Sequence, residues 1–147
     1  MGDVMAIAIQ IIMCVLGTVS FGVTMNAPKN TIFYICIGGI ITAGIERIMS
    51  LYSNDFLSCL LAMLVLGIYC EIIARKIKEP TTIILIPSTI PLLPGSAIYY
   101  TMLYAINGNA YMLEKYAITT LLSGLGIALG AILSSAITRI FLTLRKS

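Results

Sequence analysis

The chain has 147 residues, of which 59% are hydrophobic and only 10% are charged, and its net charge is +3. A soluble domain carries roughly 25% charged residues to keep its surface hydrated, so this composition excludes one. With a mean hydropathy of +1.03, the sequence predicts an all-α integral membrane protein that forms a single transmembrane domain over residues 1–147.

The residue types that usually carry catalysis or metal binding are scarce. The chain has no histidine, and its four cysteines lie singly in apolar runs without a CxxC pair, which is typical of buried thiols. No GxSxG or HExxH pattern occurs, and no aspartate lies inside an apolar run. We therefore expect no enzyme, no cofactor and no metal site. The small net charge gives no indication of a nucleic-acid-binding face.

Five apolar runs are each long enough to cross a bilayer, which takes about 20 residues. Short polar segments separate them, with NAPKN after the first run, the basic RKIKEP after the third and NGNAYMLEK after the fourth. The predicted spans are residues 4–25, 31–49, 56–74, 81–106 and 116–142.

Lysine and arginine in the short loops set the orientation. With five crossings, one side of the membrane receives Arg47 and Lys115, while the other receives Lys29, Arg75, Lys76, Lys78, Arg139, Arg145 and Lys146. This bias predicts a multi-pass protein of the plasma membrane with its N-terminus outside and its C-terminus in the cytoplasm. A re-entrant fourth segment would weaken the bias, so we expect a broken crossing.

The fourth span is interrupted by three prolines and a glycine in the run IPSTIPLLPGSAIYYTM, residues 86–102. At about 1.5 Å of rise per residue, the prolines straddle the middle of the bilayer. Proline removes backbone donors, so a helical path would leave the carbonyls of Ile83, Pro87 and Ile90 without their i+4 donors. Such backbone is tolerated in a membrane only where it is buried in protein or lines a wet cavity.

A second half-helix is predicted to begin at Ser96, and the free N–H groups at its start suit a carboxylate, while unpaired carbonyls suit an ammonium group or a cation. Tyr100 and Tyr104 share a face with Ser96 by their i, i+4 spacing. The candidate solute-binding residues are Ser88, Thr89, Pro91, Pro94, Gly95, Ser96, Tyr99 and Tyr100. The alternative is a simple proline kink with packed aromatic side chains.

Three charged residues near the ends of spans are candidates for ion or proton coupling, namely Glu46, Arg47 and Glu71. The alternative is interfacial anchoring for Glu46 and Arg47. For Glu71 it is a surface ion pair with Arg75, one helical turn away.

Small residues recur at helical spacing in two spans, and within lipid such rows mark close helix contacts. They are Gly38, Gly39 and Gly44 in the second span and Gly126, Gly130, Ser134 and Thr138 in the last. Packing within the chain is one interpretation, and contact with a partner chain is the other.

Three segments together resemble the threonine/serine exporter family, in particular the small membrane subunit of its two-component form. They are NAPKN after the first span, GGIITAGIER in the second, and Pro80 with IPLLPGSAIYYTM in the fourth, so the likeness spans nearly the whole chain. Its most specific part is Pro-x-x-Pro-Gly followed by an aromatic residue, here Pro91, Pro94, Gly95 and Tyr99 or Tyr100.

The resemblance implies a secondary exporter of small carboxylated metabolites, either threonine and serine or a dicarboxylate such as succinate, driven by an ion or proton gradient. The fused form of the family has a hydrophilic region and a first membrane half that have no counterpart here, which implies a larger partner subunit. Homo-oligomerisation stays open. The alternative function is an accessory membrane subunit that stabilises a transporting partner without lining the solute path.

Overall fold

The computed structural model describes residues 2–52 and 54–146, so residues 1, 53 and 147 of the predicted domain lie outside it, and the described part contains no strand. The described residues form six α-helices, with one 3₁₀ turn, Ile90–Leu92, between the fourth and fifth. The helices are α1 (Gly2–Thr24), α2 (Lys29–Tyr52), α3 (Asp55–Ile77), α4 (Thr81–Ser88), α5 (Gly95–Ile106) and α6 (Ala110–Lys146). The predicted all-α fold is confirmed.

Three helical segments of the described chain are long and apolar enough to cross a membrane, namely Lys29–Ser50, Asp55–Ile77 and Ala110–Ile140. The bent pair Thr81–Leu92 and Gly95–Ile106 makes a fourth crossing if it counts as one span, whereas the apolar helix Ile9–Thr24 is shorter. The chain is thus an integral membrane protein with three or four helices of spanning character. The count of five crossings stays a prediction.

The last helix begins earlier than the sequence predicted. Residues 110–115, expected in a polar loop, form the first turns of α6. The Asn109 side chain accepts a hydrogen bond from the N–H of Met112, and asparagine is a favoured residue for capping the free donors at a helix start. The loop therefore shrinks to a tight turn around Gly108, whose φ is +69°.

The first three helices are antiparallel neighbours held close by small residues. A Cβ atom at Gly39 of α2 would lie 2.9 Å from the Thr18 hydroxyl of α1, so glycine is what allows this approach. Between α2 and α3, the Tyr69 hydroxyl donates a hydrogen bond of 3.1 Å to the Tyr34 carbonyl. These contacts bury a core that includes Ile35.

The contact between α6 and α3 uses the small residues predicted to mark a packing face. A Cβ atom at Gly126 would lie 2.6 Å from the Phe56 carbonyl, Gly130 is similarly close to the next turn of α3, and Ser134 lies against Gly67. For these residues, packing within the chain is therefore confirmed. Because the residue numbers of the contacting positions increase together along both helices, α3 and α6 run parallel.

The parallel arrangement of α3 and α6 constrains the segment between them. Since Gly126 lies level with the start of α3 and α6 begins 16 residues earlier at Ala110, residues 78–109 must carry the chain back past the level where α3 began. A re-entrant loop would instead leave α6 antiparallel to α3. The packing therefore favours one broken crossing, with a bend of 55° between its halves.

Candidate functional site

The break in the fourth span is short and keeps part of its backbone hydrogen bonding. The Ile90 carbonyl has no i+4 donor, because that position is Pro94, and it accepts the N–H of Leu93 at 3.2 Å instead. The 3₁₀ turn thus supplies an i+3 bond where proline removes the i+4 bond. Pro94 then immediately precedes Gly95, the first residue of α5, which begins one residue before the predicted Ser96.

The N-terminus of α5 has no side-chain cap. Pro94 occupies the capping position and offers no side-chain acceptor. The first helical bond runs from the N–H of Ile98 to the Pro94 carbonyl, at 3.0 Å. The N–H groups of Ser96 and Ala97 come before this bond, so they are donors available to a ligand.

A polar cleft of about 270 Å³ opens beside this break. It is lined by α1, α2, α3 and α6 as well as by the break and the start of α5. Its polar residues are Gln10, Glu46, Asp55, Ser58, Ser96, Thr119 and Ser123, and Pro91 and Pro94 complete the wall at the break. Ligand pockets usually begin at about 300 Å³, so this volume suits a small solute.

The charges around the cleft are of two kinds. Glu46 of α2 and Asp55 at the start of α3 contribute carboxylates. The N-terminus of α5 contributes roughly half a positive charge from its aligned peptide dipoles, together with the N–H groups of Ser96 and Ala97. The cleft therefore combines a place for an anionic group with a place for a cationic one.

A smaller cavity of about 30 Å³ adjoins the cleft, and Gln10, Glu46 and Pro91 belong to both linings. Its volume matches roughly one water molecule. Arg47 also lines this inner cavity, and its Nε atom is buried without a hydrogen-bond partner in the described part of the chain. Glu46 therefore stands between the inner cavity and the cleft.

Half of the predicted binding residues lie at the cleft, and the other half lie away from its lining. Pro91, Pro94 and Ser96 line the cleft. Gly95 lies between the last two, and an added Cβ atom there would meet nothing within 4 Å. The structure brings these backbone-breaking residues together with the carboxylate of Glu46.

Two predicted hydroxyl residues, Ser88 and Thr89, lie away from the cleft lining. The Ser88 hydroxyl is buried and donates to the Ile35 carbonyl of α2 at 3.3 Å. The Thr89 hydroxyl donates to the Leu85 carbonyl at 2.7 Å. Both hydroxyls therefore satisfy backbone carbonyls within the helix bundle.

The tyrosines of α5 also lie outside the cleft lining. The side chain of Tyr99 is 62% exposed. Tyr100 and Tyr104 pack instead against Tyr116 of α6, with ring centroids 5.1 and 5.6 Å from that ring. The aromatic face predicted from the i, i+4 spacing is thus used to hold α5 on α6.

Glu71 and Arg75 form an ion pair of 3.1 Å on the protein surface, as one of the two interpretations predicted. Neither residue lines the cleft or the inner cavity. An exposed pair of this kind contributes at most about 1 kcal/mol to stability. Of the three coupling candidates, Glu46 and Arg47 are therefore the two that lie at the site.

The break lies at a different level from the one predicted. Pro91 and Pro94 line the cleft together with Asp55 and Ser58, which belong to the first turn of α3. The break is therefore closer to one end of this spanning helix than to its middle. Depth was counted at the α-helical rise, whereas Ile90–Leu92 form a 3₁₀ turn and Leu93 is extended, and both rise more per residue.

Sequence reasoning missed five polar residues of the cleft, namely Gln10, Asp55, Ser58, Thr119 and Ser123. Gln10 carried a usable signal, because it is an amide within an otherwise apolar first run. Serine and threonine occur in most of the spans, so their presence alone did not distinguish the residues that line a cavity.

A helical membrane domain with a broken span beside a polar cleft is an arrangement that many membrane transporters share. A family model described as Threonine/Serine exporter, ThrE, matches residues 10–137, a range that contains every cleft residue named above. The chain therefore belongs to the threonine/serine exporter family, which is a family of membrane transporters. No curated protein and no solved structure matches the chain.

Proposed function

We propose that the chain is the small subunit of a secondary exporter of small carboxylated metabolites, and that the cleft forms its part of the solute path. The observation that carries this proposal is the meeting of an uncapped helix N-terminus with Glu46 and Asp55 in one polar cleft. Polar groups in a membrane domain are costly unless they have a partner, a solute or water.

The arrangement of charge favours an amino acid over a dicarboxylate. A solute carboxylate would accept hydrogen bonds from the N–H groups of Ser96 and Ala97, and a solute ammonium group would face Glu46 or Asp55. A second carboxylate, as in succinate, would be repelled by the same acidic side chains. Threonine and serine are therefore the first solutes to test, and succinate is the comparison.

Coupling to an ion or proton gradient is assigned to Glu46. This residue belongs to both the cleft and the inner cavity, so a proton bound there would change the charge that the solute meets. Arg47 lines the inner cavity beside it and would offset the negative charge of Glu46 after the proton leaves.

A larger partner subunit would complete the cleft. Gln10, Asp55 and Ser96 line the cleft and are nevertheless exposed on this chain. An exposed amide and an exposed carboxylate in a membrane domain need water or a second protein surface. We therefore place the partner against this side of the cleft.

The site assignment is tested by replacing Pro94 with alanine in the chromosomal gene, so that any partner subunit remains present. Pro94→Ala lets the helix continue through the break, so threonine release should fall to the rate of a deletion strain. Pro28→Ala is the matched control, because Pro28 lies in the exposed turn after α1 and should leave release unchanged. Normal release from Pro94→Ala cells would refute the site assignment.

The subunit role has its own test. Liposomes containing the chain together with its larger partner should transport threonine, whereas liposomes containing either protein alone should not. Full transport by the partner alone would instead establish the accessory function, in which this chain stabilises a transporter without lining the path.

A further inference from the structure

One threonine of the cleft has a hydroxyl group that the helix leaves unused. A threonine inside a helix commonly donates to the carbonyl of the preceding turn, and seven threonine hydroxyls do so here. They are Thr18, Thr24, Thr42, Thr89, Thr101, Thr120 and Thr138. Thr119 lies within α6 and lines the cleft, yet its hydroxyl makes no hydrogen bond within the described part of the chain.

The position of Thr119 follows from the way α6 packs. Gly126 meets the first turn of α3, and Ser123 and Thr119 continue the same stripe of α6 toward its N-terminus. Because α3 begins at Asp55 and runs parallel to α6, the stripe extends past the start of α3. Ser123 is consequently buried, while Thr119 borders the cleft where α3 no longer covers α6.

From this geometry we infer that the Thr119 hydroxyl forms a subsite that recognises the side-chain hydroxyl of the transported amino acid. The inference rests on the proposed function, because it takes the solute carboxylate to lie at the start of α5 and the ammonium group at Glu46 or Asp55. All three elements line the same cleft. They would hold the solute at three points.

A hydroxyl subsite discriminates against a solute that lacks the hydroxyl. Threonine can exchange hydrogen bonds with the free Thr119 hydroxyl, whereas 2-aminobutyrate, its analogue without the hydroxyl, leaves that group unpaired in the occupied cleft. A neutral hydrogen bond contributes about 0.5–1.5 kcal/mol net. Converted at about 1.4 kcal/mol per factor of ten, this corresponds to a preference of roughly twofold to tenfold.

The test compares release of threonine and 2-aminobutyrate from cells loaded with both, with each variant introduced into the chromosomal gene. Thr119→Val keeps the shape of the side chain but removes the hydroxyl, so it should lower the threonine to 2-aminobutyrate release ratio roughly twofold to tenfold. Thr120→Val is the matched control, because the Thr120 hydroxyl donates to the Tyr116 carbonyl and does not line the cleft. Its release ratio should equal that of the wild type.

Two further variants keep the inference testable if Thr119→Val is poorly folded. Thr119→Ser retains the hydroxyl and should keep the wild-type ratio, whereas Thr119→Ala removes it and should lower the ratio. An unchanged ratio in both Thr119→Val and Thr119→Ala would overturn the hydroxyl subsite. If the proposed function itself is wrong, the result is distinguishable from a failure of the subsite. A deletion strain would then release both amino acids at the wild-type rate.

Discussion

In the proposed function, solute binding and energy coupling converge on Glu46. It lines both the cleft and the inner cavity, beside Gln10 and Pro91. Replacing it with glutamine preserves the shape of the side chain but removes both the charge and the proton-binding site. We expect Glu46→Gln to reduce threonine release to the rate of a deletion strain, measured in cells with the variant in the chromosomal gene.

Glu71→Gln provides the matched control for this prediction. Both residues are glutamates in helices of spanning character, but Glu71 is paired with Arg75 on the surface. Because such a pair contributes at most about 1 kcal/mol, release by the Glu71→Gln variant should stay close to that of the wild type. Equal loss in the two variants would contradict the assignment of coupling to Glu46 alone.

Backbone-breaking residues could be predicted from the sequence, whereas side-chain roles could not. Pro91 and Pro94 act on their own backbone, so their effect was readable from the order of residues. Tyr100 was different, because its helical face was predicted correctly but the partner on that face, Tyr116, came from another helix. Thr119 had no distinguishing local signal, since its role depends on where α3 begins.

Among the elements, the parallel pair of α3 and α6 supports the cleft, and its contact depends on glycine. A Cβ atom at Gly130 would lie 2.7 Å from the Leu60 carbonyl and 2.8 Å from the Met63 Cβ atom. We expect Gly130→Leu to destabilise the protein by about 1–3 kcal/mol, the usual cost of overpacking. The measurement is the temperature at which the detergent-solubilised protein loses its monodisperse gel-filtration peak.

Gly124→Leu separates this packing effect from a general effect of leucine in α6. Gly124 lies on the same helix, but a Cβ atom there would meet nothing within 4 Å. Its transition temperature should match or slightly exceed that of the wild type, because leucine also has the higher helix propensity. Similar losses for the two variants would argue against the tight α3–α6 contact.

The element boundaries show the same limit of sequence reasoning as the residues do. The break between α4 and α5 was predicted because proline and glycine disrupt a helix locally. The early start of α6 was missed because Asn107, Asn109, Glu114 and Lys115 made residues 107–115 look like a polar loop. Asn109 capping and packing against α5 instead extend the helix, and neither effect is visible in hydropathy.

At the scale of the whole molecule, the direction of α6 ties the fold to membrane topology. A broken crossing places the turn after α3 and the turn before α6 on opposite sides of the membrane, and the loop charges predict that the first of these lies in the cytoplasm. A re-entrant segment would place both turns on one side. With a broken crossing the predicted count of crossings is five, whereas with a re-entrant segment it is four. Two halves in series have inverted topology only when each has an odd number of crossings. The distinction therefore also bears on how a partner subunit would pair with this chain.

Single cysteines in the two turns decide between these topologies. Cys14, Cys36, Cys59 and Cys70 are first replaced with alanine, and Lys78→Cys or Asn107→Cys is then added. With a membrane-impermeant thiol reagent on intact cells, we expect Asn107→Cys to be labelled and Lys78→Cys to react only after the membrane is opened. Asn54→Cys, just before α3, should behave like Asn107→Cys because the loop charges predict that both positions lie outside. If Lys78→Cys and Asn107→Cys react alike, the fourth segment is re-entrant and the predicted orientation of the C-terminus is wrong.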